Sequence, residues 1–198
     1  LLAELESAEP ALKLLRTAMC GPTGQGAMFA NAAAGVEVTV PWFEPRFWIA
    51  RDALHGSHEG RGAALVFAHE GHSYLLRHYR RGGLAAALTP DQYLWLGEAR
   101  TRSLAELRLT LRLHAAGLPV PMPIAARYEQ QGMTYRADII TEYLPETQTL
   151  AQRLAAGELS LPAWSAMGRF IRRFHDYGLC HADLNAHNIL LRGDSEVF

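Results

Sequence analysis

The chain has 198 residues, 49% of them hydrophobic and 20% charged, with a net charge of −1. That balance fits a globular, soluble protein of one large domain or two small lobes. It gives no global attraction to nucleic acid. No run approaches the ~20 apolar residues a membrane-spanning helix needs, and the acidic start (Glu4, Glu6, Glu9) does not read as a secretory signal. Cys20 and Cys180 supply no disulfide framework, which fits a reducing cytoplasm.

Residues 1–35 are alanine-rich and weakly patterned. Leu2, Leu5, Leu12 and Leu15 permit a helix that Gly21 to Gly26 would break. Val36 to Val40 alternates and predicts a strand ended by Pro41, and Trp42 to Trp48 predicts an aromatic loop packed on the core. Gly56 to Gly62 is a glycine-rich turn. After it, Ala63–His69 and Ser73–Tyr79 are β-prone runs joined by Glu70-Gly71, the pattern of a hairpin. Thr89-Pro90 predicts a helix start running to Gly97. A second helix is expected from Ser103 to Ala116, with Leu104, Leu107, Leu111 and His114 on one stripe, and Ser103 and Glu106 spaced as a capping box.

Gly117 ends that helix. Ile124–Tyr128 and Thr134–Leu144 predict strands joined at Gln131-Gly132, and Thr149–Ala156 predicts a short helix. Ser160 caps a longer one in which Trp164, Met167, Ile171 and Phe174 recur at helical spacing, closed by Gly178. The order, strands with one helix and then helices, is that of an α+β chain. It divides into a weakly patterned segment 1–35, a β-rich lobe 36–144 and a helical part 145–198. Glu142-Tyr143-Leu144-Pro145 is the connector. The start at Leu1 and the stop at Phe198 predict a piece of a longer protein.

The most informative stretch is His181-Ala-Asp183-Leu-Asn185-Ala-His187-Asn188, running into Ile189-Leu190-Leu191. Its spacing resembles the protein-kinase catalytic loop H-R-D-L-x-x-x-N, in which Asp accepts the proton of the attacking hydroxyl and Asn holds Mg²⁺. Asp183 and Asn188 stand at the matching distance. Asn185 falls where protein kinases carry Lys. A zinc reading of His181, Asp183 and His187 lacks a His pair at helical spacing and a Cys in register.

Phosphoryl transfer needs other parts as well. Gly60 and Gly62 are candidates for a lid whose backbone amides reach phosphate oxygens. Arg77, in Tyr74-Leu75-Leu76-Arg77, takes the place of the β-strand Lys that grips phosphates; the chain holds a single lysine, Lys13. Glu106 is the expected helix carboxylate for that cation, with Glu98 in reserve. Between Gly71 and Arg112 seven arginines face three carboxylates, an excess suited to an anionic ligand.

The phrases Leu76-Arg77-His78-Tyr79-Arg80-Arg81-Gly82-Gly83, Ala116-Gly117-Leu118-Pro119-Val120-Pro121, Tyr135-Arg136-Ala137-Asp138 and His181–Asn188 resemble those of bacterial 3-deoxy-D-manno-octulosonic acid (Kdo) kinases. The likeness runs from about Gly56 to Leu191. It implies a protein-kinase-like, two-lobed fold with a small β-rich N-lobe and a helical C-lobe, here truncated at the C-terminus. It implies ATP and Mg²⁺, transfer to the 4-hydroxyl of Kdo on a lipid A precursor, and a peripheral place on the cytoplasmic face of the inner membrane. Asp183 and Asn185 are then catalytic, and Asn188 holds the metal. Gly60, Gly62, Arg77, Glu106 and Glu142 serve the nucleotide, and Arg80, Arg81 and His187 the acceptor. A second metal-binding Asp is expected beyond Phe198. Another small-molecule or heptose kinase, a non-catalytic kinase-like binding module and a protein kinase remain as alternatives.

Overall fold

The computed structural model describes residues 13–21, 24–58, 64–80, 91–157, 159–181 and 183–198. They form two compact units. The first takes the described residues up to Arg112 together with Met122–Tyr143; the second takes Leu113–Pro121 and Leu144–Phe198.

The first unit is built on an antiparallel sheet. Its strands are β1 (Leu14–Gly21), β2 (Gly24–Asn31), β3 (Leu54–His58), β4 (Ala64–His69), β5 (His72–His78), β6 (Tyr93–Leu94), β7 (Pro123–Gln131) and β8 (Thr134–Glu142). They lie in the order β1-β2-β7-β8-β5-β4-β3, with β6 also on β8. The hairpin β4–β5 forms where the alternation predicts it, turning at Glu70-Gly71 with both φ angles positive. The hairpin β7–β8 turns at Gly132-Met133, one residue later than expected.

Strand alternation gives the sheet two buried faces. On one, Ala137 and Ile139 of β8 and Ala126 and Tyr128 of β7 pack under Leu104, Leu107 and Leu111 of helix α2 (Arg102–Ala115). α1 (Pro45–Ile49) follows a 3₁₀ turn, Val40–Phe43, and this segment seals the opposite face. There Trp42, Phe43 and Trp48 pack on Phe67, Tyr74, Leu76 and Ile140. The Trp48 ring stacks on Phe67 at 4.0 Å between centroids, and its indole N–H donates to the Trp42 carbonyl at 2.8 Å.

Several sequence expectations change here. The described part of the predicted N-terminal helix, from Leu14, is strand: β1 and β2 pair over their full length and β2 continues onto β7. Gly24 and Gly26 are not helix breakers. A Cβ on Gly24 would meet the Gln130 carbonyl at 1.8 Å, and one on Gly26 would meet that of Tyr128 at 2.3 Å, so β2 lies against β7 only without side chains there. Val36–Thr39 joins no strand, and Trp42–Trp48 is core-packed as expected but helical.

Thr89 and Pro90 lie outside the described residues, and 91–97 is not helix. Tyr93 and Trp95 turn toward the α2 face while Leu94 and Leu96 turn out, a period of two. Nor does Ser103 cap α2 by the predicted box. It sits inside the helix and its hydroxyl donates to the Arg127 carbonyl at 2.8 Å, pinning α2 to the sheet.

The second unit contains α3 (Leu150–Ala156), α4 (Leu161–Asp176) and a small sheet of β9 (Gln148–Thr149), β10 (Leu190–Arg192) and β11 (Glu196–Val197) in the order β11-β10-β9. Thr149 and Gln152 form a reciprocal capping box on α3, and the Ser160 hydroxyl caps α4 by accepting from Ala163 N. The core gathers Leu150, Ala166, Met167, Ile189, Leu191 and Val197. Of the expected stripe, Met167 and Ile171 pack on this core, whereas Trp164 is 49% exposed and Ala163 and Ala166 are buried in its stead.

Candidate active site

Arg77 and Glu106 meet. Arg77, near the end of β5, sends Nη2 to Oε1 of Glu106, one turn into α2. Tyr79 lies two residues beyond Arg77, and its hydroxyl donates to the other carboxylate oxygen, Oε2. The Arg77 guanidinium also sits 5.0 Å from the centroid of the Tyr79 ring. One carboxylate therefore holds a cation and a phenol at once.

Burial works against the Arg77 charge, yet Glu106 and the Tyr79 oxygen hold its pKa above the ordinary value. Burial first, and then the Glu106 charge, push the Tyr79 hydroxyl far upward, so it stays a neutral donor. Glu98 is committed elsewhere: it takes Arg16 at 2.9 Å and the Tyr128 hydroxyl at 2.6 Å. Gly60, Gly62 and Arg81 lie outside the described residues. Arg80 is exposed just past β5. Glu142 ends β8 with its backbone N–H on the Met122 carbonyl at 2.8 Å and its carboxylate 3.4 Å from Met122 N.

Sequence reasoning missed an ion network on the sheet face opposite Arg77. Arg127 of β7, buried, gives Nε to Asp138 at 2.7 Å and Nη1 to Glu44 at 2.7 Å. The other Asp138 oxygen meets Nδ1 of His78 at 2.7 Å, and His78 Nε2 lies 3.6 Å from Asp91, which also holds Arg136 at 2.7 Å. The Asp138 hydrogen bond raises the His78 pKa against the opposing effect of burial, and Asp91 adds to the rise. The network ties the aromatic segment at Glu44 to the central strands. It also fixes the residue next to Arg77. Its only sequence trace was charge at alternate positions of β-prone runs, which surface strands also show.

The second unit carries the loop between α4 and β10. Asn185 is its hub. Its Nδ2 donates to both the carbonyl and the Oδ1 of Asp183, at 3.1 and 3.2 Å, and its Oδ1 accepts from His187 N at 2.9 Å. Asn188 Nδ2 donates to the Asp183 carbonyl at 2.8 Å, and Asp183 N donates to His181 Nδ1 at 3.2 Å. The first amides of α3 close the loop from behind: Leu150 N reaches the Ile189 carbonyl and Ala151 N that of Ala186, each at 2.9 Å. The His181, Asp183, His187 and Asn188 side chains remain exposed, and Asn185 is half-buried.

The donors fit Mg²⁺ in kind. Asn188 spends its amide nitrogen on the backbone, which leaves its oxygen for a hard cation, and Asp183 keeps one carboxylate oxygen clear of Asn185. Among the described residues no group of three or more His, Cys, Asp or Glu gathers as a metal cage, so His181, Asp183 and His187 form no zinc cluster. Asp194 is not a spare ligand: Arg153 at 2.7 Å and Ser160 at 2.9 Å hold it and lower its pKa.

An Asp–Asn loop before a strand and an Arg–Glu pair between strand and helix are the parts of a phosphotransferase, and comparison with known proteins gives the same class. The lipopolysaccharide kinase (Kdo/WaaP) family matches residues 45–198, and the chain belongs to that family. It has a kinase-like fold and is a phosphotransferase with an alcohol acceptor. A 3-deoxy-D-manno-octulosonic acid kinase of Stenotrophomonas maltophilia is 44% identical over 86% of this chain and 68% of its own length. The protein of that name from Haemophilus influenzae is 44% identical over 79% of this chain and 67% of its own. The chain thus spans about two thirds of these relatives. Among solved structures, WaaP in complex with acyl carrier protein is 22% identical with a TM-score of 0.44, over 78% of this chain and 64% of that one.

Proposed function

We propose that the chain transfers the terminal phosphoryl group of ATP to the 4-hydroxyl of the Kdo residue on a lipid A precursor, in lipopolysaccharide core synthesis. Support comes chiefly from the Asp183 carboxylate, exposed and braced on one oxygen by Asn185. The identity to named Kdo kinases supplies the acceptor.

In this reading the acceptor hydroxyl gives its proton to Asp183 as its oxygen bonds to the γ-phosphorus, and ADP leaves. Asn185 aligns the carboxylate from the position where protein kinases place a Lys. Arg77, held by Glu106 and Tyr79, donates to phosphate oxygens of ATP, with Gly60 and Gly62 supplying lid amides. Glu142, at the end of β8, serves the nucleotide in this reading. Asn188 would hold Mg²⁺, which supplies charge neutralisation of the β- and γ-phosphates when bound. Arg80 and Arg81, with His187, meet the anionic acceptor. No helix of the described residues is long and apolar enough to cross a membrane. We place the protein peripherally on the cytoplasmic face of the inner membrane, since its acceptor is a lipid.

The deciding experiment measures phosphate transfer from ATP to a Kdo-bearing and to a heptose-bearing acceptor. Preference for Kdo is expected, and Arg80→Glu with Arg81→Glu should raise the acceptor KM while ATP affinity holds. Preference for heptose, or equal loss of both affinities, overturns the assignment.

A further inference from the structure

One stretch of the first unit has large apolar side chains where water should be. Leu94, Leu96 and Met133 are 54%, 59% and 77% exposed. They are neighbours: Leu94 pairs with Thr134, and Trp95 N donates to the Met133 carbonyl at 2.9 Å. Met133 is at the tip of the β7–β8 turn. Their partners in alternation, Tyr93 and Trp95, are packed inward against Tyr135 and Tyr128. The stretch therefore spends apolar residues on both sides, and only the inner side has a cover.

The surroundings are cationic. Residues facing one way along β8 are Thr134 and then Arg136, which is 40% exposed. Tyr79 N donates to the Ala137 carbonyl, so continued alternation past His78 sets Arg80 beside Arg136. Arg100 is exposed just after Leu96; Arg102, 4.7 Å from the centroid of the inward Tyr93 ring, belongs to the other side. Asp91 and Arg136 offset each other and Glu98 is held by Arg16, so Arg80 and Arg100 carry the positive charge of the patch. Apolar side chains at a protruding turn, flanked by arginines, suit a surface that is negative outside and hydrocarbon within.

We propose that Leu94, Leu96 and Met133 insert at the face of an anionic lipid bilayer, with Arg80 and Arg100 over its headgroups and the Arg136–Asp91 pair beside them. This rests on the lipid-acceptor reading and deepens it. The basic stretch proposed to meet the acceptor continues into the apolar one, so the acceptor would be taken while still seated in the membrane.

The test is sedimentation of the full chain with phosphatidylethanolamine vesicles with and without about 30% phosphatidylglycerol. Stronger binding to the anionic vesicles is expected. Leu94→Ser, Leu96→Ser and Met133→Ser together should weaken it by about tenfold or more. These residues lie outside the catalytic parts, so transfer to a deacylated, water-soluble acceptor should match the unmutated chain. Leu94→Gln alone, a milder change, should give a smaller loss in the same direction. Equal sedimentation of mutated and unmutated chains overturns the proposal. So does a dimer in solution that the three serines dissolve, which would make the cover a second copy. If the soluble acceptor is not phosphorylated but the serine variant still loses the vesicles, the acceptor reading fails and the docking surface stands.

Discussion

The ion network of the first unit and the loop of the second hold their polar groups in opposite ways. Arg127, Asp138, His78 and Glu44 are brought together across gaps of 11 to 83 residues. Asp183, Asn185, His187 and Asn188 bond within five residues of one another, and all but the half-buried Asn185 stay exposed. The buried pair at its centre, Arg127 and Asp138, needs satisfied partners, which His78 and Glu44 supply. An exposed loop braced by its own amides leaves a carboxylate edge open, as the proposed proton transfer to Asp183 requires. The Arg77–Glu106–Tyr79 cluster stands between the two, part-buried and joined across 29 residues, but with its cation at the surface.

The contrast can be broken most forcefully at Asp183. Asp183→Asn should lower turnover by roughly two to four orders of magnitude while ATP binding and unfolding midpoint hold, read by steady-state kinetics, nucleotide titration and urea denaturation. Near-normal turnover removes Asp183 as the base. At Asp138 the outcome should invert. Asp138→Asn leaves Arg127 buried with half its partners, and a loss of about 3–5 kcal/mol is expected, measured by urea unfolding. A variant as stable as the parent would show that the network is dispensable.

Tyr79→Phe sharpens the intermediate case. The ring beneath Arg77 remains and the bond to Glu106 goes, so KM for ATP should rise by roughly tenfold with kcat little changed. A fall in kcat alone would argue that Tyr79 acts on the chemical step. The smallest effect belongs to His78. Its folded-state pKa is raised above 6.5 by Asp138, so the stabilisation is fully present below 6.5 and fades as pH rises through the folded value. His78→Gln should flatten that part of the stability–pH curve; an unchanged slope would assign it to another group.

Legibility followed contact distance. Asp183 and Asn188 were readable because a loop that bonds to itself needs its residues at fixed spacing. Arg77 and Glu106 needed the kinase pattern as well, since a lone strand Arg and a helix Glu are common, and the Ser103–Glu106 spacing pointed to a cap that does not form. Tyr79 carried a usable signal, two residues from Arg77 on an alternating strand, and went unassigned. Leu14 to Asn31 was illegible because small residues there serve close strand approach at Gly24 and Gly26, a need set by β7, a hundred residues away.

By itself the amino-acid order determined the local devices: the β4–β5 hairpin, the Ser160 cap, the glycine after α2 and the Asp–Asn loop. Each depends on neighbours within a few positions. Tertiary structure alone decided that residues 14–31 pair as strands, that 91–97 extends, and that Arg127 and Asp138 share buried charge with His78 and Glu44 at its edges. The physical reason is that strand pairing and charge burial take their energy from partners far along the chain, whose arrival no local pattern records.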